Sequence, residues 1–313
     1  MKGKVVKIFG VFFVAILIGG LVAGCKTKTT QEGAKETAAY PLAITDDVGR
    51  KVTVKKTPQR IISLAPSNTE ILFALGLGNR VVGVTTFCDY PPGAKKKEKI
   101  GGFKDPNLEK VIFLKPDLVL ATGGIQQPFI QELEKVGISV FVLHPKNLNQ
   151  VIEGINKVGK ITGRLEESKR LTDAMSKTIT DIKNKVASQR KKSRPKVFVE
   201  IFSQPLYSAG TGTFIDDLIR VSGGKNIAAQ AGSGYVVFSL ENLLKEDPDV
   251  YMAVKGSMND PGLLKKRAGF SDLKAVKNNR VYVVDDNLVS RPGPRIVQGL
   301  KQIAKSIHPD LFK

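Results

Sequence analysis

Residues 108–121 read LEKVIFLKPDLVLA, and 132 positions later residues 240–253 read LENLLKEDPDVYMA. Five positions are identical, and most of the others keep their apolar character. Each copy opens on Leu-Glu, spaces apolar residues as a short helix does, turns at Pro-Asp and ends in a strand-like apolar run. A second pair supports the first in the same order. Residues 70–82 (EILFALGLGNRVV) and 217–229 (DLIRVSGGKNIAA) each run from helix through Gly-x-Gly or Gly-Gly to an apolar strand. The order predicts two related α/β lobes. Two such lobes enclose a cleft, and clefts between lobes are favoured ligand sites. The repeat also gives each lobe one outward-facing glutamate at a helix start, Glu109 and Glu241.

Outward from the repeats, a strand over residues 60–65 runs into Pro66 and a helix. Ser67 and Glu70, three apart, have the capping-box pattern. Strands over 81–85, 118–121 and 139–143 alternate with helices over 108–114, 129–136 and 148–162, which predicts a largely parallel sheet with helices outside it. The rhythm breaks at residues 165–190, which contain no Gly or Pro. Leu171, Met175, Ile179, Ile182 and Val186 form one helical stripe there. A helix of roughly 40 Å, at about 1.5 Å per residue, is too long for one more crossover. It reads as a rigid spine joining the lobes; a coiled-coil dimer seam is the competing reading. The second lobe resumes with strands over 197–201, 250–253 and 281–284, helices over 214–221 and 240–244, short helices around 263–265 and 272–277, and a closing helix over 295–307. The predicted organisation is therefore residues 45–163, 164–192 and 193–313 for first lobe, linking helix and second lobe.

The N-terminus carries a different signal. Lys2, Lys4 and Lys7 precede an apolar run over residues 11–18, and Leu21-Val-Ala-Gly-Cys25 follows. That run resembles a lipobox, in which the signal (residues 1–24) is cut before a cysteine that takes lipid. A simple membrane anchor or an ordinary secretory signal are the alternatives; the apolar stretch is short for a spanning helix. Residues 25–44 read as a lipidated flexible tether. The mature chain is expected on the outer face of the cytoplasmic membrane, held through Cys25. Loss of three lysines with the signal lowers the formal charge from +20 to +17. An exported basic protein is drawn to anionic lipid or wall polymer, and nucleic acid is not an expected partner. Once Cys25 is lipidated only Cys88 remains, so no intramolecular disulfide can form.

Taken in order, residues 61–83, Cys88-Asp89-Tyr90-Pro91, Leu108-Glu109, Lys115-Pro116-Asp117, the long helix and Arg291-Pro292-Gly293-Pro294-Arg295 resemble the periplasmic-type substrate-binding proteins of vitamin B12 and ferric-siderophore ABC importers. The resemblance spans about residues 45–313 and sits nearest the cobalamin-binding members. It implies two α/β lobes on one long helix, no enzymatic activity and no cofactor. It further implies capture of a corrinoid (vitamin B12 or a precursor) and its delivery to a permease dimer with a cytoplasmic ATPase. Glu109 and Glu241 would then dock on arginines of the two permease subunits. Ser67, Phe87, Phe103, Tyr207, Tyr235, Asn287 and Arg291 would line the ligand cleft.

The residues themselves fit that assignment in part. Aromatic side chains give a broad ring ligand large contact area at low entropic cost, and tyrosine hydroxyls can meet amide groups. Arg291 could bond amides or a phosphate. Tyr90, beside Pro91, reads as structural. Cobalamin binders often carry tryptophan where Phe103 and Tyr235 stand, and this chain has none. The same machine carrying a ferric siderophore or haem is the runner-up, and an adhesion or signalling lipoprotein that lost its ligand is the reading of another class. With only His144 and His308, bare metal-ion capture is disfavoured and no metal site is assigned. No Ser-His-Asp order or carboxylate pair stands out for catalysis. The chain is expected to be a monomer whose lobes move little on binding, because one long packed helix is a stiff joint.

Overall fold

The structure, a computed structural model, describes residues 39–187, 194–258 and 260–312. The expected signal, Cys25, most of the tether and the last residues of the linking helix (188–192) lie outside the described residues. The chain enters through a hairpin of β1 (Leu42–Thr45) and β2 (Lys51–Val54). β1 begins inside the stretch assigned to the tether, so ordered structure starts before residue 44. Only Leu42 and Ile44 of β1 turn toward the core, and two apolar residues in a polar run are too weak a pattern to mark a strand.

The first-lobe sheet contains β3 (Ile61–Ser63), β4 (Val81–Val84), β5 (Leu118–Thr122) and β6 (Val140–Leu143), all parallel, in the order β4-β3-β5-β6. Helices α1 (Pro66–Ala74), α2 (Pro92–Lys95), α3 (Leu108–Phe113), α4 (Gln127–Lys135) and α5 (Leu148–Thr162) connect and cover it. α5 stops at Gly163, whose φ of 70° supplies the left-handed C-cap. α6 (Leu165–Ala187) follows directly, about 35 Å long at 1.5 Å per residue. Met175, Ile179, Ile182 and Val186 are buried along it, as the stripe predicts. At its start a Cβ on Gly159 of α5 would lie 2.2 Å from Ser168 Oγ, so only glycine lets the two helices approach this closely. Near its other end Val186 sits beside Gly223 of the second lobe. One helix thus packs on both lobes.

The second lobe comprises β7 (Lys196–Ser203), β8 (Leu206–Ala209), α7 (Phe214–Val221), β9 (Lys225–Asn226), β10 (Tyr235–Val237), α8 (Leu240–Glu246), β11 (Val250–Val254), α9 (Lys274–Lys277), β12 (Val281–Val284), α10 (Asp286–Val289) and α11 (Ile296–Ile307). Its sheet runs β10-β8-β7-β11-β12. The centre is parallel, whereas β8 and β10 add an antiparallel edge. A continuous apolar core runs from Ile61 and Leu72 through Met175 and Ile182 to Leu300 and Ile303, with a smaller cluster on the far side of each sheet. The lobes share this core.

Candidate functional site

The loops after β3 and β4 in the first lobe meet the loop after β12 in the second, so the carboxyl ends of both parallel sheets face one another. In open α/β sheets ligands bind at such ends. The contact is electrostatic and specific. Glu70 on α1 has a side chain 2% exposed. Arg295 approaches it with two bonds, Nε to Oε2 at 2.8 Å and Nη2 to Oε1 at 2.6 Å. The Arg295 guanidinium also lies 3.8 Å over the Tyr90 ring, which gives Tyr90 the structural role expected of it. Arg291 donates to Asp89 Oδ1 at 2.6 Å and reaches Glu70 Oε1 at 3.5 Å.

This geometry corrects the capping-box expectation. The N-cap of α1 is Ala65, with no side-chain cap, and Pro66 occupies the first turn. Proline there has no N–H to satisfy, which lessens the need for a capping acceptor. Glu70 is instead drawn across to the second lobe by two guanidinium groups. Its counterpart in the repeat, Asp217, also reaches across, accepting from the backbone N–H of Leu148 in the first lobe at 2.9 Å. The two lobes are therefore fastened from both sides by equivalent acids.

Arg291 was assigned to the ligand, and in the structure it is engaged by Asp89. The Arg291 hydrogen bond holds the Asp89 carboxyl below its usual 3.8, against the opposing effect of desolvation. A depressed carboxylate contributes stability above its unfolded value and loses it as pH falls through the lowered folded value. Asp89 is about half exposed, so the contribution is small, under about 1 kcal/mol. An Asp89→Asn variant should be slightly less stable than the parent at pH 7 in urea unfolding. The difference should shrink below pH ~3.8 and vanish in stronger acid; a gap that persists would show that the charge is not its source.

Aromatic surface stands on both lobes near this meeting point. Phe87 follows β4 and is 60% exposed. Phe103 is half-buried in a tight turn closed by Gly102 N–H to Asp105 O at 3.3 Å and by the bridge of Gly101 with Pro106. Gly101 has φ 106°, and a Cβ there would lie 2.8 Å from Asp105 O. In the second lobe, Tyr235 pairs with Ala209 and Val237 with Tyr207, so Tyr207, Tyr235 and Val237 share one face of the β8–β10 pair. Desolvation and the charge of Asp286 push the Tyr235 hydroxyl pKa up, while a bond with Ser290 restrains it. Asn287 lies half-buried on α10 with its N–H bonded to Asp285.

Ser67 behaves differently from these. It is 8% exposed, and the Gly293 backbone passes over it, so it offers little surface to a ligand. Ile125, Phe202 and Val237, at 50%, 54% and 57% exposure, are apolar residues that sequence reading missed. Ile125 follows β5, Phe202 lies near the end of β7, and Val237 ends β10.

Other candidates resolve as structural. The Cys88 thiol is buried between the hydroxyls of Thr69 and Thr85. His144 Nε2 lies 2.5 Å from the Lys146 ammonium, and burial lowers its pKa. A concavity of about 910 Å³ is lined by residues of α6, α7 and α11, Arg220 among them, and by Arg194, Arg280 and His308. Its Arg194 and Arg280 donate to the carbonyls that end α7 and α11, which accounts for their positive charge. Glu109 and Glu241 are exposed in the first turns of α3 and α8, capped by Asn107 and Ser239 respectively. Among the described residues neither carboxylate has a partner within the chain.

Residues 61–288 match the family described as periplasmic binding protein. The chain is 38% identical over 312 residues to an uncharacterized ABC transporter substrate-binding lipoprotein, YvrC, of Bacillus subtilis, covering 97% of this chain and 98% of the relative. It is 28% identical over 247 residues to the vitamin B12-binding protein of Vibrio cholerae, covering 78% of this chain and 87% of the relative. A crystal structure of a possible iron-binding, periplasmic solute-binding protein from Staphylococcus epidermidis superposes with a TM-score of 0.71 at 35% identity. That similarity covers 81% of this chain and all of the other.

Proposed function

We propose that this chain, which belongs to the periplasmic binding protein family and is an ABC transporter substrate-binding protein, captures a corrinoid and delivers it to its permease. The observation that supports the reading is that exposed or half-buried aromatic residues stand on both lobes, Phe87 and Phe103 on the first and Tyr207 and Tyr235 on the second, and we read them as the walls of one cleft. Such walls suit a broad, amphipathic ring system. Vitamin B12-binding relatives support the choice. Anchorage through Cys25, action as a monomer and docking of Glu109 and Glu241 on a two-fold permease belong to the same proposal. Two equivalent charges on matching helix starts fix register against a two-fold partner and raise the encounter rate. The iron-binding description of the Staphylococcus epidermidis protein favours an iron chelate as the second reading.

Equilibrium dialysis against cyanocobalamin, read by the absorbance of the corrinoid, tests the ligand contacts. The parent chain should retain the ligand, and Phe103→Ala and Tyr235→Ala should each weaken binding about tenfold, the order expected for an aromatic contact. Retention unchanged in both variants would remove the aromatic walls from the ligand site.

A further inference from the structure

We infer that Gln126, which the cleft assignments leave out, is a positioning residue that sets the Phe103 turn and through it the affinity for ligand; this rests on Phe103 as a ligand contact. Gln126 precedes α4 and is completely buried. Its Oε1 accepts from the Thr122 N–H at 2.9 Å. Its Nε2 donates to Leu64 O at 2.7 Å and to Phe103 O at 2.9 Å. One amide therefore ties the loops after β3, β4 and β5, the three segments that build the first-lobe wall.

The tie matters most at Phe103. The turn over residues 101–106 is held at its base by Gly101–Pro106 pairing and the Gly102–Asp105 bond. Gln126 is the side chain that anchors the Phe103 backbone itself. An amide is suited to this position because it offers both an acceptor and two donors. A carboxylate would keep the Thr122 bond and lose both donors, placing a charge against two carbonyl oxygens. An apolar side chain of similar size would leave all three backbone groups unsatisfied.

Two variants of the chain test the role, Gln126→Glu and Gln126→Met, each also made with Phe103→Ala. Hydrogen exchange is the first readout. The amides of Gly102 and Asn107, which bond to Asp105 O and Ile100 O, should exchange at least about tenfold faster in both variants, while β3, β5 and β6 keep their protection. Cyanocobalamin binding is the second. Gln126→Glu should weaken it about tenfold when Phe103 is present and less than about twofold when Phe103 is alanine, since a residue acting through another shows no effect once that partner is gone. Unchanged exchange in the turn would overturn the inference, as would protection lost throughout the first lobe or an equal loss of affinity in both backgrounds. If the parent chain fails to bind the corrinoid, the ligand reading falls, and the exchange result alone decides whether Gln126 holds the turn.

Discussion

Reversing the charge at both carboxylates, Glu109→Lys with Glu241→Lys, is expected to abolish uptake while leaving ligand affinity unchanged. Both side chains are exposed, and among the described residues neither carboxylate takes part in a hydrogen bond or ion pair within the chain, so no pairing inside the fold is lost with them. Each occupies the first turn of a short helix, where the dipole favours an acid by about 0.3–1 kcal/mol. That local benefit explains one glutamate per helix start without any partner. It does not call for the same residue at the same offset in two halves that otherwise differ at most polar positions. Docking does: two attractive contacts with a cationic partner become two repulsive ones, and each like-charge juxtaposition costs several kcal/mol. Uptake should fall by a factor of at least ~100 in the double variant, with single variants between. A loss of ligand affinity would sink the docking assignment, and full uptake would leave only the dipole explanation.

The second large effect concerns the fastening of the lobes. Arg295→Ala strands Glu70, whose side chain is 2% exposed, and breaking a buried pair from one side costs about 3–5 kcal/mol. Arg291 remains 3.5 Å from the same carboxylate and offsets part of this, so the lower end of that range applies. Loss of the stacking on Tyr90 adds to it. For a chain of this size about 3 kcal/mol corresponds to a fall in Tm of roughly 6–12 °C. Arg295→Lys keeps the charge and loses the two-pronged geometry and the stacking, so it should fall between. A drop of less than about 2 °C for Arg295→Ala would mean that Glu70 is solvated in solution and that its arginine pairs do not fasten the lobes.

Much of the architecture was readable because repeats and periodicity are local. The helices over residues 148–162 and 214–221, the stripe on α6 and the strand over 281–284 stand where the pattern places them. Each has apolar spacing long enough to fix its period, or a residue such as Gly163 that ends it. β1 escaped because two half-buried residues carry almost no pattern. β10 did so because its residues alternate between exposed and half-buried on an edge strand.

The site was less legible, for a physical reason. Phe87 follows β4 and Tyr235 opens an edge strand, and the apolar periodicity of such short segments says nothing of which ring is left exposed. Glu70 and Arg291 depend on partners about 200 residues away in sequence, and no local window contains both ends of such a contact. The Ser67–Glu70 spacing is a sound local signal, overridden here by Pro66 and by two arginines from the other lobe. Gln126 was invisible for the same reason, since its role lies in three loops that only the fold brings together.

Corrinoid capture is tested most directly by calorimetric titration of a soluble chain lacking residues 1–25 with cyanocobalamin, cobinamide, haem and a panel of ferric siderophores. The account predicts submicromolar, one-to-one binding of a corrinoid, a free energy beyond about −8 kcal/mol, with the iron ligands silent. Binding of haem or a ferric siderophore with corrinoids silent would contradict the ligand assignment and keep the transport role, whereas silence from every ligand would contradict capture by this cleft altogether.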